Sequence, residues 1–204
     1  MIETGTQKKT AGMAKLLMVA QKGMTRAGQG LSEMTGTPVE VIAPSVSAVA
    51  INEVTNLVGS PDALNVGLYL SILGDLTGHI VLMFPYPSAL SLVDALLELP
   101  TGTTVCLDEI GESALCEVGN LTGSFFLNAL SDSTNFRLHP SPPAIATDMT
   151  EAILDTVLAD LGQYGEEMVV IDTNFKQSEK AIQGFFLVFP DRDSLRRLVA
   201  WLEQ

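Results

Sequence analysis

The sequence predicts an α/β (α+β) fold made of two copies of one unit, with mainly antiparallel strands and long helices packed on them. Three observations predict it: long segments with helical spacing of apolar residues, apolar runs joined by a hairpin-type turn, and lettering that recurs in the second half. We therefore expect a flexible tail over residues 1–11 and one domain over 12–204. The domain would consist of two repeats, about 12–100 and 107–204.

The elements of the first repeat follow from local patterns. From Gly12 to about Glu33 apolar residues recur at helical spacing, and three glycines weaken the far end of this helix. In "TPVEVIAP" apolar and polar residues alternate and the segment ends at a proline, which predicts a strand. "GLYLSIL" and "GHIVLMF" read as strands joined by the turn "GDLTG", and "PYPSALSLVDALLEL" reads as a helix.

The second repeat begins with the helix "LDEIGESALCEVGNLTGSFFLNALSD" and the short strand "FRLHPSPP". The period of "ATDMTEAILDTVLADLG" suits a helix, but its second apolar cluster could also hold a strand. "EMVVIDTNF" and "GFFLVFP" predict strands, and "DRDSLRRLVAWLEQ" predicts a closing helix with Asp191 or Asp193 near its N-cap.

Sequence similarity between the two halves supports the duplication. "LSEMTGTPVEVIAPSV" aligns with "LSDSTNFRLHPSPPAI", which places Pro44 over Pro143. "GHIVLMFPYPSALSLVDALLEL" aligns with "QGFFLVFPDRDSLRRLVAWLEQ". A repeat of about 100 residues is far longer than a solenoid repeat. We expect two pseudo-symmetric copies, each with helices against one face of its own sheet.

Composition excludes several functions. The formal charge is −13 and the pI is near 4.4, which argues against nucleic acid and anionic membranes as partners. No apolar run reaches the roughly 20 residues of a membrane span. Cys106 and Cys116 read as thiols in a reducing cytoplasm. With only His79 and His139 and no cysteine cluster, neither a metal site nor a histidine-based hydrolase is expected.

The first helix of the second repeat carries a polar stripe. At about 100° per residue, Ser113, Glu117, Asn120 and Ser124 lie within roughly 60° of one another. Gly119 and Gly123 lie beside them and would let a partner approach the backbone closely. The opposite arc should be buried, and it contains Ile110, Ala114, Leu115, Val118, Leu121, Phe125 and Phe126.

The plain alternative is a solvated helix face. Such a face is usually filled with Lys, Glu, Gln and Arg, which favour helix formation. Here it carries Ser, Asn and glycines, and each glycine costs about 1 kcal/mol of helix propensity. Nothing else in the sequence compensates for that loss, which points to a role outside the helix.

The pattern Ser113-x-x-x-Glu117-x-x-Asn120, followed by Pro143, resembles the signature of the CheC, CheX and FliY family of chemotaxis phosphatases. The duplicated halves match that family in order, which implies a CheC-like fold. The resemblance implies hydrolysis of the aspartyl phosphate on a CheY-type response regulator in the cytoplasm. It implies no cofactor of the chain's own, since the magnesium ion belongs to the regulator.

The resemblance also assigns roles. Asn120 would orient the attacking water, and Glu117 would pair with the regulator's active-site lysine. Ser113 would supply polarity and a contact, and Pro143 would shape the loop beneath the helix.

In the first repeat, Ala14, Met18 and Gln21 fall over the three helical motif positions. Met18 cannot form a salt bridge, and Gln21 carries its amide on a longer side chain. We therefore expect one active site, in the second half, and a degenerate first site. Two other functions stay open: a non-catalytic adaptor that binds the receptor deamidase CheD or a flagellar switch component, and a small-molecule sensor with a cleft between the halves.

Overall fold

Fourteen elements make up the described part of the chain, residues 2–43, 45–161, 167–177 and 180–203 of a computed structural model. The first half contains helix α1 (Ile2–Thr35), strands β1 (Val39–Ile42) and β2 (Val46–Ala50), helix α2 (Ile51–Val58), strands β3 (Leu64–Gly74) and β4 (Gly78–Pro85), and helix α3 (Tyr86–Leu96). The second half contains helix α4 (Glu109–Thr134), strands β5 (Leu138–Pro140) and β6 (Ala144–Met149), helix α5 (Thr150–Leu161), strands β7 (Glu167–Gln177) and β8 (Lys180–Pro190), and helix α6 (Arg192–Leu202). The same order of helices and strands therefore occurs twice.

The strands form one eight-stranded antiparallel sheet in the order β1-β7-β8-β4-β3-β5. Strand β2 also pairs with β7, and β6 also pairs with β3. The first two strands of each half thus pair with the long hairpin of the other half. The expectation of a separate sheet in each repeat is wrong, because the two hairpins join directly through β4 and β8 and each then accepts strands from the opposite repeat.

Helices cover both faces of this sheet. Helices α1, α3, α4 and α6 bury apolar residues on one face, and α2 and α5 pack on the other. Consecutive residues Ile80, Val81, Leu82 and Met83 of β4 are all buried, so both faces of this central strand require cover. This corrects the expectation that helices lie against one face only.

Several elements differ from the sequence expectations. Helix α1 begins at Ile2 rather than Gly12, so it also takes in residues 2–11, where the sequence predicted a tail; Met1 lies outside the described residues. No proline interrupts this segment. Strand β2 and helix α2 were not predicted, and the ambiguous segment divides into β6 followed by α5. Pro44, aligned with Pro143, also lies outside the described residues.

The predicted hairpin and closing helix are present. Gly74 and Gly78 flank the turn between β3 and β4 with φ of 117° and 149°, and a Cβ at either position would overlap a neighbouring carbonyl oxygen. Asp191 is the N-cap of α6, where its carboxylate accepts the Ser194 N–H at 2.7 Å.

Candidate functional site

Helix α4 is held firmly at both ends and along its inner face. Its N-cap Asp108 accepts the Gly111 N–H at 2.8 Å, and Asn135 ends it in a left-handed conformation with φ 62°. Phe126 packs against Phe186 of β8 with ring centroids 5.0 Å apart. This packing fixes the rotation of α4, and with it the direction of the motif side chains.

The glycines of α4 face the sheet rather than a partner. A Cβ on Gly119 would lie 3.3 Å from Leu68 Cδ1 and 3.7 Å from Pro143 Cβ, and one on Gly123 would lie 2.9 Å from Leu70 Cδ2. Both glycines are buried. The expectation that they admit a partner is wrong, since they instead let α4 lie close to β3 of its own chain.

Ser113, Glu117 and Asn120 line one open groove of about 520 Å³ together with Pro143. Cys116 and the segment 140–142 complete its walls. The structure therefore brings the three helical motif residues and the distant proline together. Glu117 and Asn120 are half-buried, and Ser113 is exposed.

The side chains of Glu117 and Asn120 are free to bind something else. Neither forms a hydrogen bond or an ion pair with another residue in the described part of the chain. The amide of Asn120 offers two donors and an acceptor, and the carboxylate of Glu117 is an acceptor for a cation. The groove can thus orient a small polar molecule and pair with a positive charge at the same time.

The opposite wall is tied to the sheet. The Ser141 N–H donates to the Ser71 carbonyl at 2.9 Å, and the Ser71 N–H donates to Ser141 Oγ at 2.9 Å. These bonds hold the proline segment beside α4, and Pro143 lies close to Gly119.

The surroundings of Cys116 favour its protonated thiol. Burial raises the pKa of its thiol, and the nearby Glu112 carboxylate raises it further. The thiol therefore stays protonated at neutral pH, whereas a cysteine-based phosphatase needs a thiolate. Among the described residues, no three His, Cys, Asp or Glu side chains are grouped so as to hold a metal ion.

The face of α1 that corresponds to the motif does not carry an acid and an amide side by side. Met18 is 63% exposed, and Gln21 donates its amide to the Ala43 carbonyl at 3.4 Å. A smaller groove near Met18, of about 230 Å³, is lined by Lys15, Met18, Val19, Lys22, Ser133 and Trp201. Lys15 lies 4.3 Å from the Trp201 ring centroid, so this groove presents cations rather than an acid and an amide.

Sequence reasoning misjudged the burial of some α4 residues and missed part of the groove wall. Ile110, expected in the buried arc, is 64% exposed. Leu121 and Phe125 are only partly buried, although both pack on the core. Pro140, Ser141 and Pro142 line the groove but were not predicted. The proline-rich sequence next to Pro143 was the feature that could have predicted these three residues.

Residues 110–146 match the CheC-like family. This segment contains Ser113, Glu117, Asn120 and Pro143, so the groove lies within the CheC-like part of the chain. The chain is 28% identical over 184 residues to the CheY-P phosphatase CheC of Bacillus subtilis, with 88% of each sequence covered.

Two solved structures share the fold. FliY of Thermotoga maritima matches with a TM-score of 0.76 at 18% identity, covering 95% of this chain and 97% of that one. A chain of the CheX–CheY–BeF3–Mg2+ complex from Borrelia burgdorferi matches with a TM-score of 0.50 at 15% identity, covering 88% of this chain and 97% of that one. The likeness to FliY supports the predicted CheC-like mixed fold.

None of the helices in the described ranges combines the length and apolar character needed to cross a bilayer.

Proposed function

We propose that this chain is a phosphatase that hydrolyses the aspartyl phosphate of a CheY-type response regulator in chemotaxis signalling. The observation that carries the proposal is the groove of α4, where Glu117 and Asn120 project side by side with no partner among the described residues. The likeness to a relative named as a CheY-P phosphatase supports it.

Asn120 orients the attacking water. Water attacks phosphorus in line with the bond to the aspartyl oxygen, that bond breaks, and the carboxylate leaves while the water protons pass to phosphate and solvent. Such a reaction depends mainly on positioning and charge stabilisation. A neutral amide can accept from water and donate to a phosphoryl oxygen without repelling the phosphoryl group.

Glu117 pairs with the active-site lysine of the regulator. A charge-assisted hydrogen bond of this kind is worth about 1.5–3 kcal/mol. It holds α4 in register so that Asn120, three residues further along the helix, reaches the acyl phosphate. Ser113 and Pro143 shape the groove, and the magnesium ion is the regulator's. The reaction takes place in the cytoplasm, where we place this chain.

The test measures the lifetime of the phosphoryl group on a CheY-type receiver with and without this protein. We expect Asn120→Ala to lower kcat about 100-fold, since misplacing a reacting water costs on this order. Glu117→Ala should mainly raise KM. The double variant Met18→Ala/Gln21→Ala is the matched control and should behave as the unaltered protein. No acceleration by the unaltered protein would refute the proposal.

A non-catalytic regulator is the second candidate. It is favoured by the difference between the halves, because Met18 and Gln21 cannot supply an acid and a short amide. A chain with one such groove could serve as an adaptor for the deamidase CheD or for a flagellar switch component. Tight CheD binding without accelerated dephosphorylation would support this candidate, whereas loss of acceleration in Asn120→Ala with unchanged folding would favour the enzyme.

A further inference from the structure

We propose that Ile110, with Val105, forms an apolar contact with the receiver domain that docks on α4; the inference rests on the proposed phosphatase function. These two residues are called the apolar shoulder below. They would lie against an apolar patch of the receiver that is rimmed by Lys or Arg and lies about 10 Å from its active-site lysine.

Helix geometry places Ile110 on the docking face. Seven residues separate Ile110 from Glu117, which puts them within about 20° around the helix and about 10 Å apart along its axis. A partner whose lysine meets Glu117 must therefore pass over Ile110. Ile110 therefore lies on the same side of α4 as Glu117, and Val105 lies five residues before it, in the loop that leads into the helix.

The exposure of the shoulder has no structural explanation inside the chain. Ile110 is 64% exposed and Val105 is 81% exposed, whereas Leu115 and Val118 of the same helix are fully buried. Neither shoulder residue belongs to a core cluster or packs against one in the described part of the chain. A large apolar side chain on the same line as Glu117 gains free energy only when a partner covers it.

The shoulder is also fixed in place. Buried Asp94 accepts the backbone N–H groups of Gly102 and Thr104 at 2.6 and 2.8 Å, just before Val105. The Leu107 N–H donates to the Tyr86 hydroxyl at 3.1 Å. The loop that leads into α4 is thus held by side chains of α3, and a docking partner need not order it.

Charge determines what kind of surface can meet the shoulder. Asp108, Glu109 and Glu112 surround Ile110 in sequence and are all exposed. No Lys or Arg occurs between Arg26 and Arg137, so no cation of the motif helix offsets these carboxylates. An acidic partner surface would be repelled, and an apolar patch with a basic rim fits both features.

The experiment measures kcat and KM with the phosphorylated receiver as substrate, and the dissociation constant with a receiver activated by beryllofluoride and Mg2+. Ile110→Ala removes three of the four side-chain carbons and should raise both KM and the dissociation constant about tenfold with kcat unchanged. Ile110→Leu should restore most of the loss. Val199→Ala, at a β-branched residue of α6 that is 42% exposed, is the matched control and should change nothing.

The dependence of binding on salt concentration separates the contribution of the apolar shoulder from that of the carboxylates around it. The tenfold effect of Ile110→Ala should persist at high ionic strength, whereas the effect of Glu112→Gln should fade as salt screens the exposed carboxylate. Unchanged KM and binding in Ile110→Ala, a loss in kcat alone, or an equal effect of Val199→Ala would each overturn the inference. If the unaltered protein binds the activated receiver but does not accelerate hydrolysis, the phosphatase proposal fails while the binding test of the shoulder still stands.

Discussion

Gly23 lies where α1 approaches α4 closely, and it allows a prediction about what holds the motif helix. A Cβ on Gly23 would lie 2.8 Å from Phe126 Cα and 3.1 Å from both the Phe125 carbonyl oxygen and the Phe126 nitrogen. All three atoms belong to the backbone of α4, so no rotamer change can relieve the overlap. The helices would have to separate by about 0.6 Å to restore an ordinary 3.4 Å contact.

Two effects of Gly23→Ala oppose each other. Alanine favours the helix by about 0.8–1.0 kcal/mol over glycine. Overpacking in a tight contact costs about 1–3 kcal/mol. We expect the second effect to dominate, with a net destabilisation of about 1 kcal/mol.

Gly30 of the same helix provides the matched control. A Cβ there would lie 3.1 Å from Phe125 Cε2, an atom of a partly buried ring that can move. Because the gain in helix propensity is common to both variants, their difference isolates the backbone contact. Gly23→Ala should be less stable than Gly30→Ala by about 1–2 kcal/mol.

Urea unfolding followed by circular dichroism measures the difference in the free energy of unfolding between the two variants. Thermal unfolding gives the same difference as a shift in Tm, and for a chain of this size 1 kcal/mol corresponds to about 2–4 °C. Equal stability of the two variants, or a more stable Gly23→Ala, would refute the argument that backbone contact sets the distance between α1 and α4.

Three further predictions concern residues that fix the ends of helices and the loop before α4. Burial raises the pKa of Asp94, but hydrogen bonds from Thr104 and Gly102 outweigh it and hold that pKa below its ordinary value; Asp94→Ala should lower the free energy of unfolding at pH 7 by about 2–3 kcal/mol. The lowered pKa means that this contribution is present above about pH 4 and is lost as pH falls through the folded pKa, so thermal scans of the two proteins should converge in acid. Asn135→Gly should keep or slightly raise the denaturant midpoint, whereas Asn135→Val should lower stability by about 1–2 kcal/mol, because φ is 62° there. Asp191→Ala removes the cap of α6 and should cost about 0.5–2 kcal/mol in chemical denaturation; no change would contradict the cap assignment.

The parts of the fold that could be predicted are those with a local pattern. The hairpin of β3 and β4 follows from two apolar runs around "GDLTG", and α4 follows from its own period. Strands β2 and β6 show no such pattern, since β6 is almost fully exposed and β2 only partly buried. They exist through pairing with β7 and β3, which is a tertiary interaction that no short window records.

The candidate site likewise divides into residues that a local pattern predicts and residues that it does not. Ser113, Glu117 and Asn120 are neighbours on one helix, so spacing alone places them together, whereas Pro143 needed the family signature. The error at Ile110 arises because this residue lies at the edge of the apolar arc, only about 20° around the helix from Glu117, so it faces the same side as the polar stripe. The role of Gly119 was misjudged because periodicity does not say which neighbour lies opposite a glycine.

The exchange of strands between the halves means that a half folded alone would lose the strands that pair with both outer edges of its long hairpin. The two halves should therefore unfold in a single cooperative transition. Met18 and Gln21 lie outside the core that this exchange creates, so their identity is free to change while the architecture persists. The surfaces of the two halves can thus diverge in polarity and charge, while the shared backbone keeps supporting both.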